Sequence, residues 1–358
     1  MSRKTRKTLA LVLAAVFVLT LAFTGCAPKQ EEAKDTPGQE APKQEAPKQD
    51  EKKAADKVVT YKLAHVYAPD HPFSKGMDKL AETVKTKSNG KLVINHYPAA
   101  QLGSEKDIAD GIVNGIVDMA IIGPGELGKR FKPILVFDAP YVFRDVDHMQ
   151  KVTTGDVGNE LWEKMASETG IRELAALYYG TRYVTTSKVP IKTPADLKGL
   201  KLRAPDQPLS VANAKAMGAN PTPMALSEVY LALQQGVVDG QENPIPTIAS
   251  QKFNEVQKYI NLTGHVVQVT PIVMSEKKLK ELPDDLKQIL MDAVKEIAPT
   301  INQEIADNEK ATLEEFKKGG MEVIESDVEA FRTATASVIK EFESTWGQGL
   351  FEKIQAVK

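Results

Sequence analysis

The sequence predicts an α/β fold of two lobes, with one long helix running across both. Three observations carry this reading. Strand-like and helix-like apolar patterns alternate from residue 58 to residue 178. The rhythm restarts after Gly180. From Pro283 to about Lys317 the spacing stays helical, with Pro299 as the one interruption. A chain of 358 residues, 42% hydrophobic, has the length and apolar content for two such units.

Each element follows from its local pattern. Residues 58–65 read as a buried strand. Phe73, Met77, Leu80, Ala81 and Val84 then recur at helical spacing until Ser88-Asn89-Gly90 stops the helix. Residues 91–97 alternate as a strand, 104–114 form a second helix, and 117–122 a further strand. A helix over 160–169 and a strand over 171–178 complete the first unit. Beyond Gly180, Thr193-Pro194-Ala195-Asp196 has the capping residue, the proline and the acid that start a helix. Residues 227–235 read as a helix closed by Gly236, and 237–239 as a strand. The helix over 283–317 would be about 52 Å long at about 1.5 Å per residue, which exceeds one lobe. Pro299 should kink it, and Gly319-Gly320 should end it.

The N-terminus is a separate matter. Arg3, Lys4, Arg6 and Lys7 precede a nearly continuous apolar run from Leu9 to Phe23, the layout of a secretory signal. The only cysteine, Cys26, follows Phe23-Thr24-Gly25. This resembles the lipobox of bacterial lipoproteins, although Phe23 stands where leucine is usual. The resemblance implies that Cys26 is acylated and that residues 1–25 are removed. Residues 26–57 carry Glu40-Ala-Pro-Lys-Gln44 twice over and no large apolar side chain, so they read as a disordered tether. The protein is therefore expected on the outer face of the cytoplasmic membrane. The formal net charge is −2 and no basic tract follows the leader, which argues against a nucleic-acid partner.

No phosphate-binding loop, dinucleotide fingerprint or nucleophile elbow is present. The five histidines, at 65, 71, 96, 148 and 265, show no metal-ligand spacing. No enzyme, cofactor or metal is expected. Arg182 follows Gly180-Thr181 at an expected strand start, and Arg203 ends the run Gly199-Leu-Lys-Leu-Arg203. An arginine buried at such a place needs an anion. An internal salt bridge and a bidentate clamp on a ligand carboxylate both satisfy that need.

Longer motifs point further. The run from Thr193 to Arg203 resembles the central signature of solute-binding proteins of TRAP (tripartite ATP-independent periplasmic) transporters. So do residues 218–236, Val237-Val-Asp-Gly-Gln-Glu-Asn-Pro244, Lys252-Phe-Asn-Glu-Val-Gln-Lys258, Tyr97-Pro-Ala-Ala-Gln-Leu-Gly103 and Pro140-Tyr-Val-Phe143. The resemblance covers roughly residues 61–325. It implies a two-lobed periplasmic-binding-protein fold, with lobe I over 58–180 plus 269–308 and lobe II over 181–268 plus 309–358.

It also implies a monomeric receptor that binds a small monocarboxylate or dicarboxylate and delivers it to a membrane permease driven by an ion gradient. The family's carboxylate-binding arginine corresponds to Arg203, its second arginine to Arg182, and its ligand-facing asparagine to Asn243. Leu226 stands where sialic-acid receptors carry an aromatic ring, and Gly123 where they carry a glutamate. Both departures argue against sialic acid. Glu105 and His65, at matching edges of the first lobe, are expected at the distal end of the ligand. The rival readings are a lipid-anchored enzyme acting on an organic acid and a receptor serving a sensor kinase.

Overall fold

The computed structural model describes residues 58–358. The expected leader, Cys26 and the tether lie outside the described residues. Within them, strands β1 (Val59–Ala64), β2 (Leu92–Tyr97), β3 (Met119–Ile121), β4 (Ile171–Thr186), β5 (Lys201–Ala204), β6 (Asn220–Pro223), β7 (Gly240–Pro244), β8 (Tyr259–Ser275) and β9 (Glu322–Ile324) form one sheet. The helices are α1 (Pro72–Lys87), α2 (Glu105–Val113), α3 (Pro124–Leu127), α4 (Val146–Thr154), α5 (Asp156–Thr169), α6 (Pro208–Ala216), α7 (Val229–Gln234), α8 (Ile245–Ser250), α9 (Glu276–Glu281), α10 (Asp284–Lys318), α11 (Val328–Trp346) and α12 (Leu350–Gln355).

The strand order is β2-β1-β3-β8-β4-β7-β5-β6, with β9 on β8. Strands β4 and β8 are antiparallel, 16 and 17 residues long, and span about 50 Å or more at about 3.3 Å per residue. They are the frame that both halves share. The C-terminal part of β8 pairs with β3, which extends through β1 to β2. The C-terminal part of β4 pairs with β7, which extends through β5 to β6. Each half thus has a short parallel set grafted on the shared antiparallel pair.

Local sequence explains the helices near the cleft. In α1 the buried Phe73, Met77, Leu80 and Val84 share one face, and His71 Nδ1 caps the start by accepting the Phe73 N–H at 3.1 Å. Ser104 and Asp107 form a reciprocal capping box that fixes the first turn of α2, an arrangement worth about 1 kcal/mol. Helix α10 runs 35 residues through Pro299. It buries Leu290, Val294, Ile301 and Ile305 in the large core cluster and Phe316 in a separate one with Met321 and Ile260. A third cluster holds Val184, Leu202, Met217 and Phe331.

Four expectations change. Gly180 does not end a strand: β4 continues through it, with a register irregularity between Tyr178 and Gly180. There φ is +122°, and an added Cβ would stand 2.6 Å from Pro244 Cβ, so only glycine fits. Helix α10 braces the same point, because Asn302 Oδ1 accepts the Tyr178 N–H and Glu309 Oε1 accepts the Thr181 N–H. The helix expected at Thr193 is a single 3₁₀ turn, Pro194–Leu197, because the chain reverses at Gly199 (φ +84°) to enter β5. Residues 237–239 are the approach to a strand, and pairing starts at Gly240. Helix α11, expected with the second lobe, straddles the halves: Phe331 joins one small cluster, whereas Val338, Phe342 and Trp346 join the large one.

Candidate functional site

The carboxyl ends of parallel strands in such sheets carry the loops that bind ligands. Here β1 leads to Val66 and Tyr67, β3 to Gly123, β5 to Pro205 and Gln207, and β6 to Leu226. These residues converge with Tyr179 and Arg182 of β4, Asn243 of β7, and Gln268 and Thr270 of β8 around one cleft. The two halves meet across it: a Cβ on Gly125 would fall 1.9 Å from Gln207 Oε1.

Arg182 is fully engaged by the protein. Its Nε donates to Glu242 Oε2, and its Nη2 to Glu242 Oε1 at 2.7 Å and to the Glu242 carbonyl at 2.7 Å. Its Nη1 donates to Gln268 Oε1 at 2.6 Å. Burial alone would raise the Glu242 carboxyl, but Arg182 and His265 outweigh it and hold its pKa at about 2. A directed hydrogen-bond chain supports this pair. Because His71 Nδ1 accepts from Phe73, its Nε2 carries the proton and faces Thr247 Oγ1 at 3.3 Å. Thr247 donates to Tyr179 OH, Tyr179 OH to Asn243 Oδ1, and Asn243 Nδ2 to Gln241 Oε1. The chain fixes the orientation of Asn243.

Arg203, on β5 opposite Gln241, is in a different state. It is 3% exposed, and its Nε and Nη2 both donate to the Met224 carbonyl, at 3.1 and 2.8 Å. Among the described residues no carboxylate forms an ion pair with it. Burial lowers its pKa to about 10, against the pull of Glu242. Arg203 is not among the residues that line the cleft; its charge feels Glu242 and Arg182, and also Tyr179 and Glu105 of the lining.

Acceptors dominate the opposite wall. Half-buried Glu105, first residue of α2, accepts the Gly123 N–H through Oε1 at 2.7 Å, and its Oε2 has only a 3.5 Å contact from Gln207 Nε2. Asp138 accepts from Gly125 N at 2.8 Å and from Gln268 Nε2 at 2.9 Å. Burial pushes the Glu105 carboxyl up to about 7 and the Asp138 carboxyl up to about 6.

Of the residues expected from sequence, Arg182, Asn243, Leu226 and Glu105 line this cleft. His65 lies behind it, fully buried, where its Nδ1 accepts the Tyr67 N–H at 3.2 Å and its Nε2 meets His96 Nε2 at 2.7 Å. Sequence reasoning missed Asp138, Gln268, Tyr67, Tyr179 and Gln207, and assigned Glu242 no role. Asp138 left one signal, an acid inside the apolar run Ile134-Leu-Val-Phe-Asp-Ala-Pro-Tyr-Val-Phe143. Among the described residues no group of three or more His, Cys, Asp or Glu is placed to hold a metal, and no helix is long and apolar enough to cross a membrane.

A cleft between two half-sheets with convergent polar groups is a common place to hold a solute. The family described as bacterial extracellular solute-binding protein, family 7, matches residues 63–345. The chain belongs to this family. The sialic acid-binding periplasmic protein of Vibrio cholerae is 37% identical over 278 residues, which cover 78% of this chain and 86% of that protein. A TRAP periplasmic solute-binding protein from Polaromonas sp. JS666, solved with D-erythronate, is 33% identical, with a TM-score of 0.80 over 84% of this chain and 99% of that one. Another, from Sulfurospirillum deleyianum, solved with succinate, is 34% identical, with a TM-score of 0.79 over 84% of this chain and 99% of that one. Members of the family are solute receptors and not enzymes, and the two-lobed fold expected from sequence agrees with these structures.

Proposed function

We propose that this protein is the extracytoplasmic receptor of a TRAP transporter, capturing a small carboxylate in the cleft and delivering it to an ion-gradient-driven permease. One observation carries the reading: Arg203 is a buried guanidinium with no carboxylate partner among the described residues. A buried cation without a counter-charge is costly, and a bound carboxylate meets that need through the guanidinium fork. Relatives solved with D-erythronate and succinate support the same class of ligand. Leu226 and Gly123 favour a solute other than sialic acid. In this reading Asn243, Leu226 and Glu105 face the ligand, Arg182 organises the floor, and His65 acts only by holding Tyr67.

The lobes are proposed as 58–180 with 269–308 and 181–268 with 309–330, with α11 crossing back toward the first. Binding closes them to the extent that the ligand contacts both lobes better when shut. Acylated Cys26 anchors a monomeric receptor to the membrane, with 26–57 as its leash. Calorimetric titration of carboxylates, neutral sugars and amines tests the ligand class, and the intact mass of the native protein tests the anchor. Carboxylates are expected to bind, and the chain to begin at a diacylated Cys26. Tight binding of a neutral or cationic solute, with carboxylates failing to compete, would overturn the carboxylate ligand class; a retained Met1 would overturn the anchor.

A further inference from the structure

We infer that His96, on β2 and outside the cleft, is a positioning residue for the ligand site. It acts on the cleft-lining Tyr67 through a relay of directed hydrogen bonds that runs Asp78–His96–His65–Tyr67. The inference rests on the carboxylate-receptor reading above. Strands β1 and β2 are parallel, with Leu63 beside His96, and the chain leaves β1 through His65 to reach the cleft at Val66 and Tyr67. The exit of β2 braces this segment. The Tyr97 carbonyl accepts the His65 N–H at 3.2 Å, and the Ala99 N–H donates to the Tyr67 carbonyl at 2.8 Å. The rings of His65 and His96 then meet with centroids 4.8 Å apart.

One backbone N–H fixes the direction of every bond. His65 Nδ1 accepts the Tyr67 N–H at 3.2 Å, so the proton of neutral His65 sits on Nε2. That atom stands 2.7 Å from His96 Nε2, which must accept. The His96 proton is then on Nδ1 and donates to Asp78 Oδ1 at 2.7 Å. All four ring nitrogens are engaged. His65 is fully buried and the His96 side chain is 6% exposed, whereas that of Asp78 is 70% exposed. A further proton breaks the relay at one link. Asp78 favours a charged His96, but an imidazolium donates from both nitrogens, which sets two N–H groups head to head at the His65 contact. Burial, with His96 and His71 beside it, holds the His65 pKa well below the ordinary imidazole value, so His65 stays neutral. Asp78 and His71 are the other ionisable groups facing the pair, and Lys75 acts on His71 in turn. The link lost is the one that leads to Tyr67, whose ring packs on His71, Phe73 and Tyr179. A buried N–H left without an acceptor is costly, so His65 turns and the cleft wall turns with it.

The test starts with the ligand-free, full-length protein. Nitrogen–proton NMR of the histidine rings at pH 8 should find the proton of His65 on Nε2 and that of His96 on Nδ1. A His96 proton on Nε2 would overturn the inference whatever the ligand. Calorimetry follows with D-erythronate, L-galactonate, D-glucuronate and succinate, and the tightest binder is then measured at pH 8 and pH 5.5 on wild type, His96→Leu and His96→Gln. Leucine removes the acceptor, so His96→Leu should bind about fivefold or more weakly at pH 8, the factor one hydrogen bond is typically worth. Glutamine offers Oε1 to His65 and takes up no proton. Acidification should therefore lower the affinity of wild type about fivefold more than that of His96→Gln. Glu105 and Asp138, raised to about 7 and about 6, titrate in both proteins, and the comparison cancels them. Wild-type affinity in a folded His96→Leu protein, or equal pH dependence in wild type and His96→Gln, would overturn the inference and leave the carboxylate receptor standing. Failure of every carboxylate would bring down both. The glutamine comparison decides the matter even if His96→Leu does not fold.

Discussion

Arg182 and Arg203 lie on β4 and β5, separated only by β7, and both are almost wholly buried, yet their surroundings differ in kind. Around Arg182 the protein supplies a carboxylate, a carbonyl and two side-chain amides; around Arg203 it supplies one carbonyl. Burial and residue type therefore do not separate an arginine paired inside the fold from one left without a counter-charge among the described residues. The inventory of partners does. Glu242 makes the difference, because both strands border β7 but its carboxylate is turned toward β4.

The largest effect should come from breaking the paired side. Arg182→Met leaves the Glu242 carboxylate buried with His265 as its remaining close partner. Removing one member of a buried pair typically costs about 3–5 kcal/mol. Denaturant unfolding of the ligand-free variant should show a loss of that order. A loss below about 1 kcal/mol, the scale of an exposed pair, would mean that Arg182 is not structural.

A smaller effect contrasts the paired acid with the unpaired ones. Glu242 is held at about 2, so its contribution is present above the ordinary carboxylate range and fades as pH falls toward 2. Glu105 at about 7 and Asp138 at about 6 are raised mainly by burial. Glu126, Lys129, Arg182 and Glu242 are the charged neighbours that modulate them. A raised carboxyl binds more protons in the folded state than in the unfolded one, so it favours folding at low pH. That advantage is lost as pH rises from about 4 through 7. Glu105→Gln should therefore raise the ligand-free thermal midpoint relative to wild type more near pH 8 than near pH 5, buried neutral His65 and His71 pulling the absolute midpoint the other way in both proteins. An effect of the substitution that is the same at both pH values would contradict the unpaired state of Glu105.

The same contrast marks what the sequence could disclose. The leading strands, α1, α2 and the long α10 were legible, because apolar spacing and caps are local signals. Asn243, Leu226 and Glu105 were singled out through motif resemblance, and all three line the cleft. The continuity of β4 through Gly180 was not, since a glycine that ends a strand and one that admits a bulge beside Pro244 look alike in one dimension. Nor was the pairing of Arg182 with Glu242, which are 60 residues apart and meet only because β4 and β7 align antiparallel. Asp138 and Gln268 escaped for a similar reason: their role depends on a contact across 130 residues. The choice between salt bridge and ligand clamp, left open for two arginines, needs their partners in place: Arg182 has an internal carboxylate, and Arg203 has none among the described residues.

The central claim is that Arg203 anchors the ligand while Arg182 anchors the fold, and Arg203→Lys tests it most directly. Lysine keeps the charge but cannot reproduce the planar fork. Calorimetry with the carboxylate that binds the wild-type protein best should show affinity lowered by a factor of tens to thousands, the equivalent of about 2–5 kcal/mol, while the ligand-free thermal midpoint stays close to wild type. A folded Arg203→Lys protein with wild-type affinity would contradict the account.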